Sequence, residues 1–421
     1  MNTSDSERLS GALESLGLQP VGAASAADVI VLNSCVVRQH AEDRVSGTLG
    51  MMKPIKELYP KRTLALMGCM VGSNIKELAT RFPYVDIFMK PQDYRPLLKL
   101  LGEKMDLDWE GCLENLTPPN PSISTHVPII HGCDLMCTFC IIPYRRGRQT
   151  SVPLATVVSE VQSLVERGVK EVTLLGQTVD AYGHDLPAQL DLADLLQSIN
   201  NIRGLERIRF LTSHPMFMTD RIISAMSQLE KVCEQINLPI QSADDQVLVD
   251  MRRRYTESDY RQLIDKIRSK IPGVSISTDI IIGFPGETSS QYEKTIKLVT
   301  DMRFEKIHLA SYSPRPGTIA FRKFPDNVTK EEKDYRFKNL EQIQRQIQYE
   351  NNAKLVGQKL EVLIDGHKRG KWHGRTRSDK LVYIENTENL LGQLSDVKIT
   401  SSGPWSLNGM ISQSNGLKQS R

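Results

Sequence analysis

The spacing of apolar positions changes character three times along the chain. Up to about Asp106, short apolar runs, ADVIVLNSC (27–35), LALMGC (64–69) and YVDIFMK (84–90), predict buried strands. RQHAEDRVSGTLGMM, between the first two, predicts a helix. Strands alternating with helices predict a small parallel α/β layer. Cys35 and Cys69 fall just past the carboxyl ends of strands, the edge at which open α/β sheets bind ligands. LDWEGCLENLTPPNPSISTH has three prolines and no period and reads as a linker (107–125) holding Cys112.

From about 126 to 350 one theme repeats. VPII (127–130), EVTLLG (171–176), RIRFLTS (207–213), QINLPIQ (235–241), STDIIIGF (277–284) and KIHLASYS (306–313) predict strands. Helical periods lie between them, as in ATVVSEVQSLVERG (155–168), with Val158, Val161, Leu164 and Val165 on one face, and in 257–270 and 290–302. Six β/α units predict an open partial barrel, short of the usual eight, with its chemistry at the carboxyl ends of the strands. From 352 to 416, alternating strands around a basic turn predict a small all-β barrel. The last residues, SQSNGLKQSR, read as frayed. The expected fold class is therefore α/β: an N-terminal α/β domain (1–106), a six-unit barrel (126–350) and a C-terminal β-barrel (352–416).

Composition narrows this picture. Forty per cent hydrophobic and 24% charged residues exclude wholesale disorder. No apolar run approaches the roughly 20 residues that span a bilayer, and the polar N-terminus lacks a signal-peptide pattern. No membrane partner and a cytoplasmic monomer are expected. The net charge of +3 is uneven: from Asn352 onward there are 11 Lys and Arg against 6 Asp and Glu, so the body is slightly acidic and the tail basic. That asymmetry points to a polyanion-binding appendage.

Seven cysteines, an odd number in a reducing compartment, point to metal or catalytic use rather than a disulfide framework. Cys133, Cys137 and Cys140 form C-x3-C-x2-C in GCDLMCTFCIIPYRRGR, directly after the first barrel strand. Three thiolates suit a soft metal centre. Structural zinc wants four ligands, and no fourth is evident. A [4Fe-4S] cluster on three cysteines keeps one iron open for a substrate or cofactor. Cys233 begins a strand and reads as core.

This loop, in a six-unit barrel, resembles the radical S-adenosylmethionine superfamily. The strings VLNSCVVRQHAEDRV, MGCM, TLLGQTVDAYG, LPIQSADDQVL, IIIGFPGET, SYSPRPGT and GRTRSDKLV narrow the resemblance to its methylthiotransferase family. Nearly the whole chain is covered, the last region matching a TRAM barrel. The resemblance implies that Cys133, Cys137 and Cys140 hold the radical cluster. S-adenosyl-L-methionine would bind its open iron and be cleaved reductively to a 5′-deoxyadenosyl radical that takes hydrogen from carbon 2 of adenine. Phe139, Tyr144, Gln177, Gly283, Gly286 and Glu287 are cofactor-binding candidates, and Gln241 and Arg209 candidates for substrate. His214 reads as a structural residue at a strand end. Arg145, Arg146 and Arg148 either grip phosphates or pair with carboxylates.

The family carries a second [4Fe-4S] cluster on three N-terminal cysteines, and Cys35 and Cys69 match the second and third. The first belongs to a G-C-Q-M-N segment whose end coincides with Met1-Asn2, so the chain begins after it and lacks the domain's first strand. A start set too late is preferred over a truly short chain, because the other motifs are intact. As written, the chain is expected to build the radical cluster well and the sulfur-donating one poorly. Cys112 is the alternative ligand considered.

The implied reaction is methylthiolation of isopentenyladenosine beside the anticodon, with a flavodoxin- or ferredoxin-type electron donor. His367, Lys368, Arg369, Lys371, Trp372, His373, Arg375, Arg377 and Lys380 lie within fourteen residues and suit an RNA backbone and an unstacked base. Of these, Lys368, Arg369, Lys371, Arg375 and Arg377 are the substrate-binding candidates for the tRNA anticodon loop. The alternatives are the same chemistry on a ribosomal protein or on threonylcarbamoyl-adenosine, and a non-catalytic iron–sulfur RNA-binding protein. A basic final barrel favours RNA over a protein substrate.

Overall fold

In the computed structural model, which describes residues 1–36, 39–72, 75–113, 116–187 and 189–412, the three N-terminal apolar runs form strands. Strands β1 (Val29–Ser34), β2 (Thr63–Gly68) and β3 (Ile87–Met89) make a parallel sheet in that order. β2 is central and wholly buried. Its Ala65 and Met67 pack on α1 (Asn2–Ser15) and α4 (Arg95–Met105). Its Leu64 and Leu66 pack on the opposite face, with Leu49 of α2 (Gln39–Leu58) and Phe82, which follows α3 (Ile75–Arg81). The polar N-terminal sequence is helical because Leu9, Ala12 and Leu16 recur at helical spacing and bury one face.

The chain divides into two interleaved units, and the division departs from the boundaries expected from sequence. Met1–Pro121, Pro128–Val152 and Ser313–Lys323 form one; Ser122–Val127, Pro153–Tyr312 and the chain from Phe324 onward form the other. The three-cysteine loop thus packs with the N-terminal sheet. It lies between β5 (Ile130–His131) and β6 (Thr150–Ser151), an antiparallel pair, and contains α5 (Ile142–Arg146); α12 (Ile319–Lys323) belongs to the same unit.

The second unit holds the barrel strands β4 (Ser124–Pro128), β7 (Glu171–Leu175), β8 (Arg207–Leu211), β9 (Gln235–Asn237), β10 (Ser275–Ile282) and β11 (Lys306–Ser311). They form two three-stranded sheets, joined where Ile208 bridges Val232 and the Ser213 N–H donates to the Asn237 carbonyl. The order is β4-β7-β8-β9-β10-β11, the expected open six-strand layer, although its first strand starts three residues before VPII. Outside it lie α6 (Leu154–Glu166), α7 (Leu192–Asn200), α8 (Asp220–Gln228), α9 (Asp245–Asp250), α10 (Glu257–Lys270), α11 (Ser289–Met302) and α13 (Lys330–Ala353). On α6 the buried positions are Val157, Val161 and Leu164; Val158 is only half-buried, so the apolar stripe is rotated from the one expected. Reciprocal caps start α10 (Thr256 with Asp259) and α11 (Thr288 with Gln291), satisfying amides that lack helical partners.

The last five strands, β12 (Lys359–Lys368), β13 (Lys371–Thr376), β14 (Leu381–Ile384), β15 (Leu394–Ser402) and β16 (Leu407–Ile411), close a barrel in the order β12-β13-β14-β16-β15. Val362, Ile364, Val382, Ile384, Val397 and Ile399 fill it. Of the tail read as frayed, residues 413–421 lie outside the described residues.

Two corrections concern cysteines and arginines. Cys112 is not in a loose linker: it is 8% exposed and packs with α1 and α4. That is the face of the sheet opposite to Cys69, which excludes it as a partner of Cys69 in this fold. Arg209, expected at substrate, is 4% exposed. Its Nε donates to Glu171 Oε2 at 2.9 Å, and its two other nitrogens donate to the Thr376 and Arg377 carbonyls at 2.7 and 2.8 Å. Arg377 in turn donates to Glu234 and to the Val232 carbonyl. These two arginines, with Arg207 on the Arg375 carbonyl and Glu361, fasten the small barrel to the strand layer. Cys233, 1% exposed, is core as expected.

Candidate cluster and cofactor sites

The three-cysteine loop is shaped by its ends. Gly132 has φ +65°, and a β-carbon there would collide with the Arg148 carbonyl, so only glycine lets the two ends of the loop approach this closely. The Cys133 N–H donates to the Gly147 carbonyl (3.2 Å) and the Cys140 N–H to the Cys137 carbonyl (3.1 Å). Asp134 accepts from Arg148 (2.7 and 3.1 Å) and from the Gln149 N–H, and the Ala320 N–H from α12 donates to the Thr138 carbonyl. Cys137 is buried, Cys133 and Cys140 half-buried, and none of the three is in a disulfide. Among the described residues no three His, Cys, Asp or Glu side chains converge as ligands of one metal ion. A cube differs, because each thiolate binds a separate iron. Three cysteine sulfurs outside any disulfide, on one pinned, irregular loop, fit a three-ligand [4Fe-4S] cluster. Phe139 is half-buried and Tyr144 41% exposed on this loop and its helix.

In the same unit, Cys35 and Cys69 follow the paired residues Ser34 and Gly68 on adjacent parallel strands. The Cys69 N–H donates to the Ser34 carbonyl (3.0 Å). Gly68, at φ +103°, leaves no room for a β-carbon beside Ser34 and Asn33. Ser34 Oγ donates to the Met67 carbonyl and accepts the Met70 N–H, fixing the turn. Arg146, from the helix that ends the three-cysteine loop, reaches this place: Nη2 donates to Asp5 Oδ2 (3.0 Å) and Asn2 Oδ1 (2.9 Å), and Asn2 in turn donates to the Ser34 carbonyl. Burial pushes the Cys69 thiol pKa up, and Arg146 opposes that rise. Of the three arginines after the cluster loop, Arg146 and Arg148 thus pair with carboxylates, while Arg145 lies against Gly72.

In the other unit, the carboxyl ends of consecutive strands carry left-handed backbone: Thr212 (φ 73°) after β8, Gln241 (φ 76°) beyond β9 and Gly283 (φ 64°) after β10. For a non-glycine residue this costs on the order of 1–3 kcal/mol, and such strain gathers at ligand-binding edges. Gln241 is 8% exposed and its Oε1 has no partner, an acceptor left for a donating ligand. Gln177 is half-buried at the end of β7. Glu287 does not face this edge. It is 4% exposed, and its carboxylate accepts from the Gly283 N–H (2.6 Å) and from Arg336 of α13 (2.8 Å), so it shapes the glycine turn from behind. The Gly286 N–H is taken by Asn327.

Beneath the same edge sits a network that sequence reasoning did not single out. Asp180, 1% exposed, accepts the His214 N–H (2.8 Å), and the His214 ring packs on Tyr255. Arg253 and Tyr255 hold the carbonyls of Pro239 and Ile240, just before Gln241. His214 is therefore structural, as expected. Burial pushes the Asp180 carboxyl up to about 8, opposed by the His214 N–H and Arg253. A carboxyl raised in the folded state keeps a proton that the unfolded chain releases, so its contribution is fullest below the unfolded value near 3.8 and is lost as pH rises through about 8. Asp180→Asn retains an oxygen for the His214 N–H. It should gain stability relative to the wild type between about pH 5.5 and 8.5 in urea unfolding; a difference independent of pH would contradict this.

On the small barrel, Lys368 and Arg369 stand exposed at the β12–β13 turn, and among the described residues no carboxylate pairs with either. Arg369 (φ 54°) and Gly370 (φ 79°) give the turn its left-handed pair. His367 packs on Trp372 at 4.7 Å between ring centroids. The other expected contacts are engaged internally: Lys371 with Glu385, Arg375 with Asp379, Arg377 with Glu234 and Lys380 with Glu305.

The comparisons with known proteins follow this division. The Radical SAM superfamily matches residues 127–299, the uncharacterized protein family UPF0004 residues 1–90 and the TRAM domain residues 353–411. Among solved structures, the radical S-adenosylmethionine methyltransferase TsrM from Kitasatospora setae aligns with a TM-score of 0.59 at 14% identity, over 76% of this chain and 74% of that one; this likeness concerns fold alone. Proteins named tRNA-2-methylthio-N(6)-dimethylallyladenosine synthase match nearly end to end. That of Roseiflexus sp. (strain RS-1) is 46% identical over 98% of this chain and 88% of its own length. That of Chloroflexus aurantiacus is 45% identical over 97% and 89%. With that extent of identity, a pinned three-cysteine loop and a six-strand layer, the chain belongs to the tRNA-2-methylthio-N(6)-dimethylallyladenosine synthase family of radical S-adenosylmethionine enzymes.

Proposed function

We propose that the chain adds a methylthio group to carbon 2 of dimethylallyladenosine in tRNA. The observation that carries this reading is the loop of Cys133, Cys137 and Cys140, three cysteines outside any disulfide on one backbone pinned at both ends. A cluster bound there supplies one electron to S-adenosyl-L-methionine, and with it a radical able to take hydrogen from an unactivated carbon. The chain's own residues hold and exclude. Cys137 lies deepest and Gly132 closes the loop. The strained ends of β8, β9 and β10, with Gln241 and Gly283, offer backbone and amide contacts to the cofactor and base, and the Glu287–Arg336 pair keeps the glycine turn in place. Cys35 and Cys69, with Arg146 beside them, are the ligands proposed for the second, sulfur-donating cluster. An electron donor of flavodoxin or ferredoxin type completes the system.

The test is anaerobic turnover with dithionite, S-adenosyl-L-methionine and tRNA carrying dimethylallyladenosine, read by nucleoside mass spectrometry. Release of 5′-deoxyadenosine with a methylthio product supports the reading. No cofactor cleavage would point to a binding module, and product on threonylcarbamoyl-adenosine alone would move the substrate. The exposed turn gives a separate prediction. Lys368→Ala with Arg369→Ala should weaken tRNA binding about 3–30-fold at low salt and lower the slope of log affinity against log salt by roughly 1–2, because each residue neutralises up to one phosphate. An unchanged slope would remove this turn from the RNA interface.

A further inference from the structure

The small barrel does not close flush on the strand layer. A cavity of about 360 Å³ lies between them, at the amino ends of β9, β10 and β11, whose first residues Gln235, Ser275 and Lys306 all line it. That volume is in the range of small-ligand sites. Trp405, on the turn between β15 and β16, lines the cavity and is 60% exposed. The turn is held: the Gly403 N–H donates to the Ser406 carbonyl (2.9 Å), and Asn352 Nδ2 donates to the Gly403 and Pro404 carbonyls (2.8 and 3.0 Å). A fixed backbone thus presents the indole, which leaves little ordering to be lost on binding. The carboxylates of the wall are taken, Glu305 by Lys380 and Asp379 by Arg375. Lys306 is exposed, and among the described residues no carboxylate pairs with it. Three wall residues carry an acceptor without a donor. Gln348 and Asn352, 7% and 2% exposed, spend their NH2 groups on the carbonyls of Glu305, Gly403 and Pro404, which fixes the way each amide faces. Their oxygens, and Gln235 Oε1, have no partner. Buried acceptors without donors cost stability, so a ligand that brings N–H groups gains there.

An exposed flat ring, one unpaired cation and a surplus of acceptors fit the three parts of a nucleotide: base face, phosphate and amino group. From them we infer that this cavity binds one nucleotide, its base stacked on Trp405, its amino group toward the amide wall and its phosphate beside Lys306. Stacking on an aromatic ring and neutralisation of phosphate are the two means by which proteins hold unpaired nucleotides. Position separates this site from the reactive one. β10 runs eight residues from Ser275 here to the turn at Gly283, roughly 25 Å away. The nucleotide held here is therefore not the target base but another, which fixes the RNA at a second point. Only that source, a nucleotide of tRNA, rests on the proposed function; the same chemistry takes a free nucleotide.

The experiment uses the full-length, anaerobically reconstituted protein in two arms. In the first, fluorescence anisotropy follows tRNA carrying dimethylallyladenosine on wild type, Trp405→Ala, Trp405→Phe and Lys306→Ala across a salt series. Trp405→Ala should weaken binding about 5–150-fold with the salt slope unchanged, and Trp405→Phe should keep most of the affinity, because stacking needs a ring and not a charge. Lys306→Ala should weaken binding about 3–10-fold at low salt and lower the slope of log affinity against log salt by roughly 1. In the second arm, saturation-transfer NMR probes each of the four nucleoside 5′-monophosphates. AMP, CMP and GMP should give signals that Trp405→Ala removes, and UMP, which has no amino group, the weakest. Those signals with tRNA affinity unmoved by either substitution assign the cavity to a free nucleotide. The same signals from a wild type that binds no tRNA keep the cavity and overturn the tRNA reading. Tight tRNA binding unmoved in Trp405→Ala and Lys306→Ala, with no monophosphate signal lost in Trp405→Ala, overturns the inference alone. So does a loss of affinity in Trp405→Ala matched by a fall in melting temperature, which would make the ring structural.

Discussion

Replacement of Cys137 by alanine should abolish cofactor cleavage: 5′-deoxyadenosine formation falls at least ~10³-fold, a loss of about 4 kcal/mol in transition-state stabilisation. Cys137 is the most buried of the three loop cysteines, and the loop around it is held by the Gly147 carbonyl, Asp134 and α12. The backbone therefore cannot shift to bring another sulfur into its place, and two thiolates remain where the chemistry needs three. Cys133→Ala and Cys140→Ala should do the same. Cys233→Ala is the control. Its thiol is more deeply buried, with a pKa pushed up to about 11 by burial, and lies in the barrel core. It should keep full iron and full cleavage at a cost of about 1–2 kcal/mol in stability. Iron analysis, the visible absorbance of the reconstituted protein and product chromatography read all four variants. Wild-type iron and cleavage in Cys137→Ala would remove the three-cysteine loop from the chemistry.

The strands and the cysteine loop were legible because their signals are local. Apolar runs of five or six residues become β1, β2 and β7 almost as written, and C-x3-C-x2-C needs no tertiary context to be read. What escaped was decided at long range. α13 is a 24-residue helix, but its inward stripe holds only two apolar residues, Leu340 and Ile347, among the polar Lys333, Arg336, Gln344, Gln348 and Asn352. Each polar residue is buried because a distant partner meets it: Asp326, Glu287, and the carbonyls of Phe304, Glu305 and Gly403. A search for apolar periodicity passes over such a helix. The basic run of the small barrel misled in the opposite direction. Arg375, Arg377 and Lys380 read as RNA contacts by composition, but their carboxylates lie at 379, 234 and 305, two of them far away in sequence. Among the described residues, Lys368 and Arg369, at the tip of a hairpin, have no such neighbour.

The same long-range pairing sets the largest expected effect on stability. Arg209 and Glu171 are each about 4% exposed and bonded at 2.9 Å, and Arg209 also carries the Thr376 and Arg377 carbonyls. Arg209→Met takes the nearest cation from a buried carboxylate, leaving it Ser124 and the longer Arg207 contact, and strands two carbonyls, a loss of about 3–5 kcal/mol. That should lower the melting temperature by roughly 6–15 °C and open the segment joining α13 to β12 to proteolysis. Arg209→Met with Glu171→Gln should recover part of the loss, since the stranded charge is gone while the carbonyls stay unpaired. Lys297→Met, which breaks an exposed pair with Asp301 on α11, should change stability by less than about 0.5 kcal/mol. The contrast tests the assignment of Arg209 to the fold rather than to substrate. A substrate residue would lose tRNA affinity at unchanged melting temperature. An anchor loses stability first, and RNA binding only as far as the small barrel loosens.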